Sequence, residues 1–211
     1  MIVLEATVEF EPWDWIGEKA HKIIGTTEWN SYWDDFLKTL GIKPAYSGSW
    51  LISIDEINKP EIIKKIVTLT CNDDFSTENI DNSLPPFTGG YILFDNNKVL
   101  FEPQCCCDLG DLDYWKELTS LESENWHNLL MGHAMMHARK VGDNLEIKEI
   151  PEYGNHEPII EKVNQSDLRI AISKVEQKIK SFEKTIFPII NEIYNNDELS
   201  LKISKKFTGQ S

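Results

Sequence analysis

Apolar positions recur every second residue in some stretches and at helical spacing in others, and the change between these periods lays out the elements of the chain. Residues Ile2 to Phe10 set Leu4, Ala6, Val8 and Phe10 on one side with Glu5 and Glu9 among those on the other, which predicts a strand. Glu11-Pro12-Trp13-Asp14-Trp15 breaks that pattern, and a short helix is expected to follow through Ile24. With Thr26 or Thr27 as cap the period lengthens: Trp29, Trp33, Phe36, Leu37 and Leu40 fall on one helical face, and Gly41 ends the run. Pro44 to Gly48 reads as a turn, and Ser49 to Ile54 as a second strand with Trp50, Ile52 and Ile54 on one face. Asn58 as N-cap and Pro60 in the first turn open another helix, which buries Ile62, Ile63, Ile66 and Val67. Cys71 to Pro86 is polar and reads as a long surface loop.

The centre of the pattern is a hairpin. Tyr91 to Phe94 and Val99 to Phe101 flank Asp95-Asn96-Asn97-Lys98, and Asn tolerates the positive φ of a two-residue turn. That register sets Phe94 opposite Val99 and Ile92 opposite Phe101 on one side, with Leu93 opposite Leu100 on the other. Both faces are then apolar, so the hairpin is expected in the middle of a sheet covered on both sides. Pro103 has no N–H for a ladder and ends the strand. A helix is expected over Tyr114 to Leu121.

Met135 to Val141 and Asn144 to Ile150 make a second hairpin around Gly142-Asp143 as a type II′ turn. Its register pairs Arg139 with Glu146 and His137 with Lys148 on one face, and Ala138 with Ile147 and Lys140 with Leu145 on the other. This ribbon is one-sided, its apolar face toward the core. Beyond it, Ser166 is the expected cap of a long helix in which Leu168, Ile172, Val175, Ile179, Phe182 and Ile186 form a seam at steps of four and three. Pro188 should kink or end that helix, and the tail from Thr208 is expected to fray. These elements predict an α+β fold: a mixed or antiparallel sheet centred on the buried hairpin Tyr91 to Phe101, helices over 27–40 and 60–69 covering it, and a long C-terminal helix. Residues 1–163 are expected to form an acidic α+β domain and 164–211 a C-terminal helical appendage packed on it, with Pro151 to Gln165 as the boundary.

Charge sharpens this picture. The 211 residues hold 21 Lys and Arg against 35 Asp and Glu, a net charge of −14. Residues 1–163 carry 13 basic against 29 acidic groups, net −16, while 164–211 carry 8 against 6, net +2. An acidic body repels nucleic acid and anionic membrane and attracts a basic partner. No stretch reaches the roughly 18 apolar residues of a membrane span. Met1 to Glu5 lacks the basic start of a secretory signal, and cysteines at 71, 105, 106 and 107 do not make a disulfide framework, so the expected compartment is the cytoplasm.

The sequence holds no phosphate-binding Gly-rich loop, no dinucleotide fingerprint, no Gly-x-Ser-x-Gly and no His-Glu-x-x-His. Cys105, Cys107, His133 and His137 carry the right donors for zinc, and a metal-dependent enzyme built on them is the alternative reading. In an extended run only Cys105 and Cys107 would share a side, about 6 to 7 Å apart, so a site there needs the chain to bend. Without that bend the cysteines are small packing groups and no cofactor is expected. Asp108, Asp111, Asp113 and Glu117 with Tyr114 and Trp115 combine carboxylates and aromatics, which suits a basic target that must be desolvated and charge-matched. The same acids also suit a helix start, with Asp111 or Asp113 as N-cap.

Gly89-Gly90-Tyr91-Ile92-Leu93-Phe94-Asp95, then Pro103-Gln104-Cys105-Cys106-Cys107-Asp108-Leu109-Gly110-Asp111, then Trp126 and Gly132-His133, resemble a pattern in small uncharacterised acidic bacterial proteins. Some of these are similar in size and acidity to immunity proteins of polymorphic toxin systems. The likeness spans about residues 86–147 and carries no catalytic residue with it. It implies a protein that binds and neutralises a cognate, often basic, toxin without chemistry of its own. The expected binding surface is Asp108 to Glu117 together with the polar face of His137, Arg139 and Glu146. The expected assembly is a monomer or a weak homodimer through the C-terminal helix, and neither nucleic acid nor membrane is an expected partner.

Overall fold

A computed structural model describes residues 1–71, 87–103, 106–129, 135–150, 158 and 160–210. The fold is α+β with two antiparallel sheets. The first has the order β2-β1-β3-β4, from β1 (Ile2–Glu9), β2 (Leu51–Ser53), β3 (Gly89–Asp95) and β4 (Lys98–Phe101). The second has the order β5-β6-β7-β8, from β5 (His127–Leu129), β6 (Met135–Val141), β7 (Asn144–Ile150) and β8 (Ile160–Asn164). Contacts gather into two compact units, one of Met1–Ala6 with Thr88–Ile179 and one of Thr7–Phe87 with Lys180–Ser211. Of the expected loop Cys71 to Pro86, all but Cys71, which is buried, lies outside the described residues.

In the first of these units the central hairpin forms as its turn chemistry requires. Asn96 and Asn97 hold φ of 48° and 69°, and Asp95 pairs with Lys98 and Phe94 with Val99. The register then differs from the expected one: a bulge leaves Leu100 as the extra residue, and Leu93 faces Phe101. With apolar side chains at every candidate position, alternation could not resolve the two registers, whereas the bulge also twists an edge strand away from further pairing. Gly89 to Leu93 are buried on both faces, as expected for an inner strand, while β4 stands at the sheet edge. Asn96 N–H donates to the Met1 carbonyl at 3.3 Å, so β1 starts where β3 ends.

The β6–β7 hairpin keeps its expected bounds and register throughout, including Arg139 with Glu146 and His137 with Lys148. Of the two turn residues only Gly142, at φ 61°, is left-handed, which is the type II′ requirement. The ribbon is one-sided: Met136, Ala138, Leu145, Ile147 and Val163 are buried. β8 was not expected from the sequence, because Ile-Glu-Lys-Val-Asn buries only Val163 and lacks the alternation of a half-buried strand. It pairs with β7 from Asn144↔Asn164 to Lys148↔Ile160.

In the second unit are the helices α1 (Pro12–Ile16), α2 (Lys19–Ile23), α3 (Trp29–Thr39) and α4 (Pro60–Thr70). The expected threonine cap of α3 is not used: Thr26 Oγ1 donates to the Ile23 carbonyl at 2.7 Å, closing the preceding turn, and Glu28 precedes the helix. Likewise Lys59, not Asn58, precedes Pro60, and its ammonium donates to the carbonyls of Leu40 and Gly41 (2.6 and 3.2 Å) at the negative end of α3. Trp33, Leu37, Ile52, Ile54, Ile57, Ile63, Val67 and Phe207 form much of the core here.

Downstream of the cysteine run come α5 (Leu112–Ser120), α6 (Gln165–Tyr194) and α7 (Asp197–Phe207). The cap of α6 is Asn164, whose Oδ1 accepts the N–H of Ser166 and of Asp167 (3.0 and 3.2 Å), rather than Ser166. All six seam residues are buried within the protein's own chain, and the helix continues through Pro188 to Tyr194 instead of ending there. α7 was not expected. Asn196 caps it by accepting the Leu199 N–H at 3.1 Å, Asp197 and Glu198 sit in its first turn and Lys205 and Lys206 in its last. Thr208 is buried with its hydroxyl on the Ser204 carbonyl (3.0 Å), so the tail does not fray from that residue. No described helix is long and apolar enough to cross a membrane.

Candidate functional site

Asp108 begins a short 3-10 turn, Leu109–Asp111, that runs into α5. Its Oδ1 accepts the Gly110 N–H at 2.6 Å, and Asp111 Oδ2 accepts the Asp108 N–H at 3.1 Å, a reciprocal capping box. Burial, and secondarily the Asp108 charge, raise the Asp111 carboxyl above its ordinary range, against hydrogen bonds from the Asp108 N–H and the Cys107 thiol. Beneath this turn Tyr91 donates its hydroxyl to the Leu109 carbonyl at 2.6 Å, and burial and the surrounding carboxylates raise its phenol. Asp113 is exposed and ion-paired with Lys116 at 3.0 Å; Lys116 also reaches Glu176 at 3.3 Å. Tyr114 is half-buried and Glu117 exposed. Trp115 is only 3 % exposed and belongs to the core. The expected pairing of aromatic and acid therefore does not reach the surface through Trp115, and two of the four acids are occupied in a cap.

The backbone does bend at Cys106. Cys106 has φ 71° and is exposed, while Cys107 is buried and its carbonyl accepts the Gly89 N–H at 3.1 Å. Gly90 is required beneath it, since a Cβ there would lie 2.9 Å from Pro103 Cβ and 3.3 Å from Cys107 Cβ. Cys105 and His133 lie outside the described residues, and His137 stands on β6. Among the described residues no group of three or more His, Cys, Asp or Glu is arranged to hold a metal ion. Cys71 is buried, and burial pushes its thiol up to about 11 despite a hydrogen bond with Tyr194.

The polar face of the second sheet has a different charge from the one its candidate residues imply. Arg139 Nε and Nη2 both donate to Glu146 Oε2 (2.9 and 2.7 Å). Arg139 and the Lys148 ammonium lie over the Trp126 ring at 4.7 and 4.1 Å. The cross-strand rows add Lys162 beside Glu146 and exposed Ile160 beside Lys148. His137 Nε2 is buried with no hydrogen-bond partner among the described residues, and burial, then the Lys148 charge, lower the imidazole below its ordinary value. Arg139, Lys148 and Lys162 thus meet one carboxylate on this face.

Aromatics and acids do come together elsewhere, in the second unit. Pro12 starts α1, and Gly17 at φ 60° separates it from α2. Trp13 on α1 is 40 % exposed, meets Trp50 edge-on at 5.2 Å, stacks with His21 at 6.3 Å and donates its indole N–H to Glu11. Trp50 is held in place by α3: Trp29 and Trp33 donate their indole N–H groups to the carbonyls of Gly48 and Ser49 (3.0 and 2.8 Å), and Asp34 accepts from Ser47 Oγ and the Gly48 N–H (2.6 and 2.8 Å). Asp14 and Glu18 are exposed beside Trp13 in the chain. From Glu9 to Asp35 there are seven carboxylates against two lysines. One of these, Lys19, lies over the Tyr32 ring at 4.2 Å. On the helical face that α3 presents, Trp29 and Trp33 are buried, whereas Trp13, which in the sequence is only part of a strand break, is exposed and packs on Trp50, 37 positions on.

No family model matches this chain, and neither a curated protein nor a solved structure matches it.

Proposed function

We propose that this protein is an acidic protein-binding domain of the cytoplasm that captures a basic protein, as an immunity protein masks a basic toxin. The observation that supports this most is the exposed Trp13 indole, braced by Trp50 and His21 and accompanied by Glu11, Asp14 and Glu18. Carboxylates in a field of net −14 raise the encounter rate with a cation-rich surface. A rigid tryptophan then supplies contact area at little cost in side-chain entropy, the usual composition of a binding hot spot. The capping of Asp108 and Asp111, the burial of Trp115 and the cation excess around Trp126 turn the expected surfaces away from this role. Neutralisation needs only that the partner's working surface be covered, and no bond is made or broken.

The test is capture from the source cell at low and high salt, with the partner identified and its association with purified Trp13→Ala and Asp14→Asn/Glu18→Gln proteins measured. The expected partner is basic; its association rate falls steeply with salt, Trp13→Ala weakens binding by about tenfold or more, and the double charge variant slows association. An acidic partner, or binding that ignores both salt and these substitutions, overturns the reading.

A further inference from the structure

From Lys180 onward α6 runs in the second unit, where it forms a helical hairpin with α7. Asn195, at φ 48°, and Asn196 join them. Asn191 Nδ2 donates to Asp197 Oδ1 at 2.8 Å, and Phe182 meets Phe207 edge-on at 5.6 Å, so the helices run antiparallel. Between them lies a cavity of about 600 Å³ lined by Glu183, Lys184 and Phe187 of α6 and Asp197, Glu198 and Leu201 of α7. Its apolar side chains are Phe187 and Leu201, and Leu201 is 42 % exposed. The other lining residues bring three carboxylates and one ammonium, and Glu198 is also paired with Lys202 at 3.8 Å, which leaves a small excess of negative charge along the groove. Asp197 and Glu198 also complement the positive end of the α7 dipole, which accounts for acids in the first turn but not for an exposed leucine beside Phe187.

Two antiparallel helices with an apolar strip between them present the groove into which a third helix packs ridge into groove. A helix laid there buries its apolar face on Phe187 and Leu201 and brings its flanks to Glu183, Asp197 and Glu198. Those flanks must be cationic to match that excess. A second copy of this chain, at net −14, is opposed by the same charges. A volume of this size also suits small ligands, but the surface lining it is mostly carbon, with no polar side chain other than charged ones.

We infer that the α6–α7 groove receives an amphipathic helix of the partner, with apolar residues at i, i+3, i+4 and i+7 and lysine or arginine on its flanks. This rests on the reading of the protein as a binder of basic proteins. The probe is a fluorescent synthetic peptide of leucine and lysine in that spacing, titrated against the full chain. Two controls accompany it: the same composition in strict alternation, and the same spacing with glutamate for lysine. The helical basic peptide is expected to bind and gain helicity, while the controls bind at least about tenfold more weakly. Leu201→Glu, at an exposed position, should reduce binding by about tenfold or more with an unchanged circular dichroism spectrum. Glu183→Lys with Glu198→Lys should transfer preference to the glutamate peptide. Equal binding of both basic peptides, unaffected by Leu201→Glu, overturns the groove and leaves the basic-partner reading standing. Preference of the unsubstituted protein for the glutamate peptide overturns both. No binding of any peptide, or a dimer that Leu201→Glu dissolves, overturns the groove assignment, while the basic-partner reading is decided separately by the captured partner and Trp13→Ala.

Discussion

Asp108 and Asp111 show how little the presence of a carboxylate says about its use. Each accepts a backbone N–H that the start of a helical turn would otherwise leave orphaned. Asp108→Ala should therefore cost about 1 kcal/mol in denaturant unfolding, a loss that a free surface acid would not produce. Asp111 is displaced in the opposite sense from most carboxylates: burial raises its pKa in the folded state. Its ionised form then costs stability above the folded pKa, and that cost disappears as pH falls through the folded pKa toward the ordinary value near about 4. Asp111→Asn keeps an oxygen to accept the Asp108 N–H and removes the charge. It should be at least as stable as the parent at neutral pH, with the difference shrinking on acidification, as read by urea midpoints across that range. Asp111 does stand at the N-cap position of α5, one of the two places the sequence offered, but its side chain makes no capping bond to that helix and Asp113 lies inside the first turn; that Asp108 and Asp111 would cap each other was not legible, because the 3-10 turn ahead of α5 leaves no apolar period to reveal it.

Among the elements, legibility followed the information in the side chains. β6 and β7 alternate polar with apolar around Gly142-Asp143, so a slip of one residue would expose the core face, and the register was readable in full. β3 and β4 are apolar on both faces, so a slip costs no burial pattern and the bulge at Leu100 was invisible. In α6, Pro188 lacks the N–H for the bond to Lys184, yet the helix continues because Ile186, Ile189 and Ile190 are buried around it. The packing of that turn overrides a local penalty. Pro188 is exposed, and Pro188→Ala should raise stability by about 1 to 3 kcal/mol, measured as a shift in the denaturant midpoint with unchanged slope. A loss instead would show that the turn is shaped around the proline.

For the molecule as a whole, the excess of carboxylates has two opposite consequences for salt. Self-repulsion at net −14 weakens the compact state, so the thermal midpoint should rise as salt is added from very low ionic strength to about 0.1 M, where the Debye length is about 10 Å. Association with a basic partner should slow over the same range. A midpoint that falls with salt would mean that attractive ion pairs such as Lys98–Glu161 and Lys64–Glu192 outweigh the repulsion. The charge is also unevenly placed: acids predominate around Trp13, and cations around Trp126. The sequence alone determined the α+β class, most strand and helix positions, the two tight turns and the overall sign of charge, since each is written in periodicity and turn chemistry within a few neighbouring residues. Only the tertiary structure decided that Trp115 is covered and Trp13 is not, that two aspartates are spent on a cap, and that α6 and α7 leave a groove. Exposure is a property of residues brought together from distant parts of the chain, and no local pattern records it.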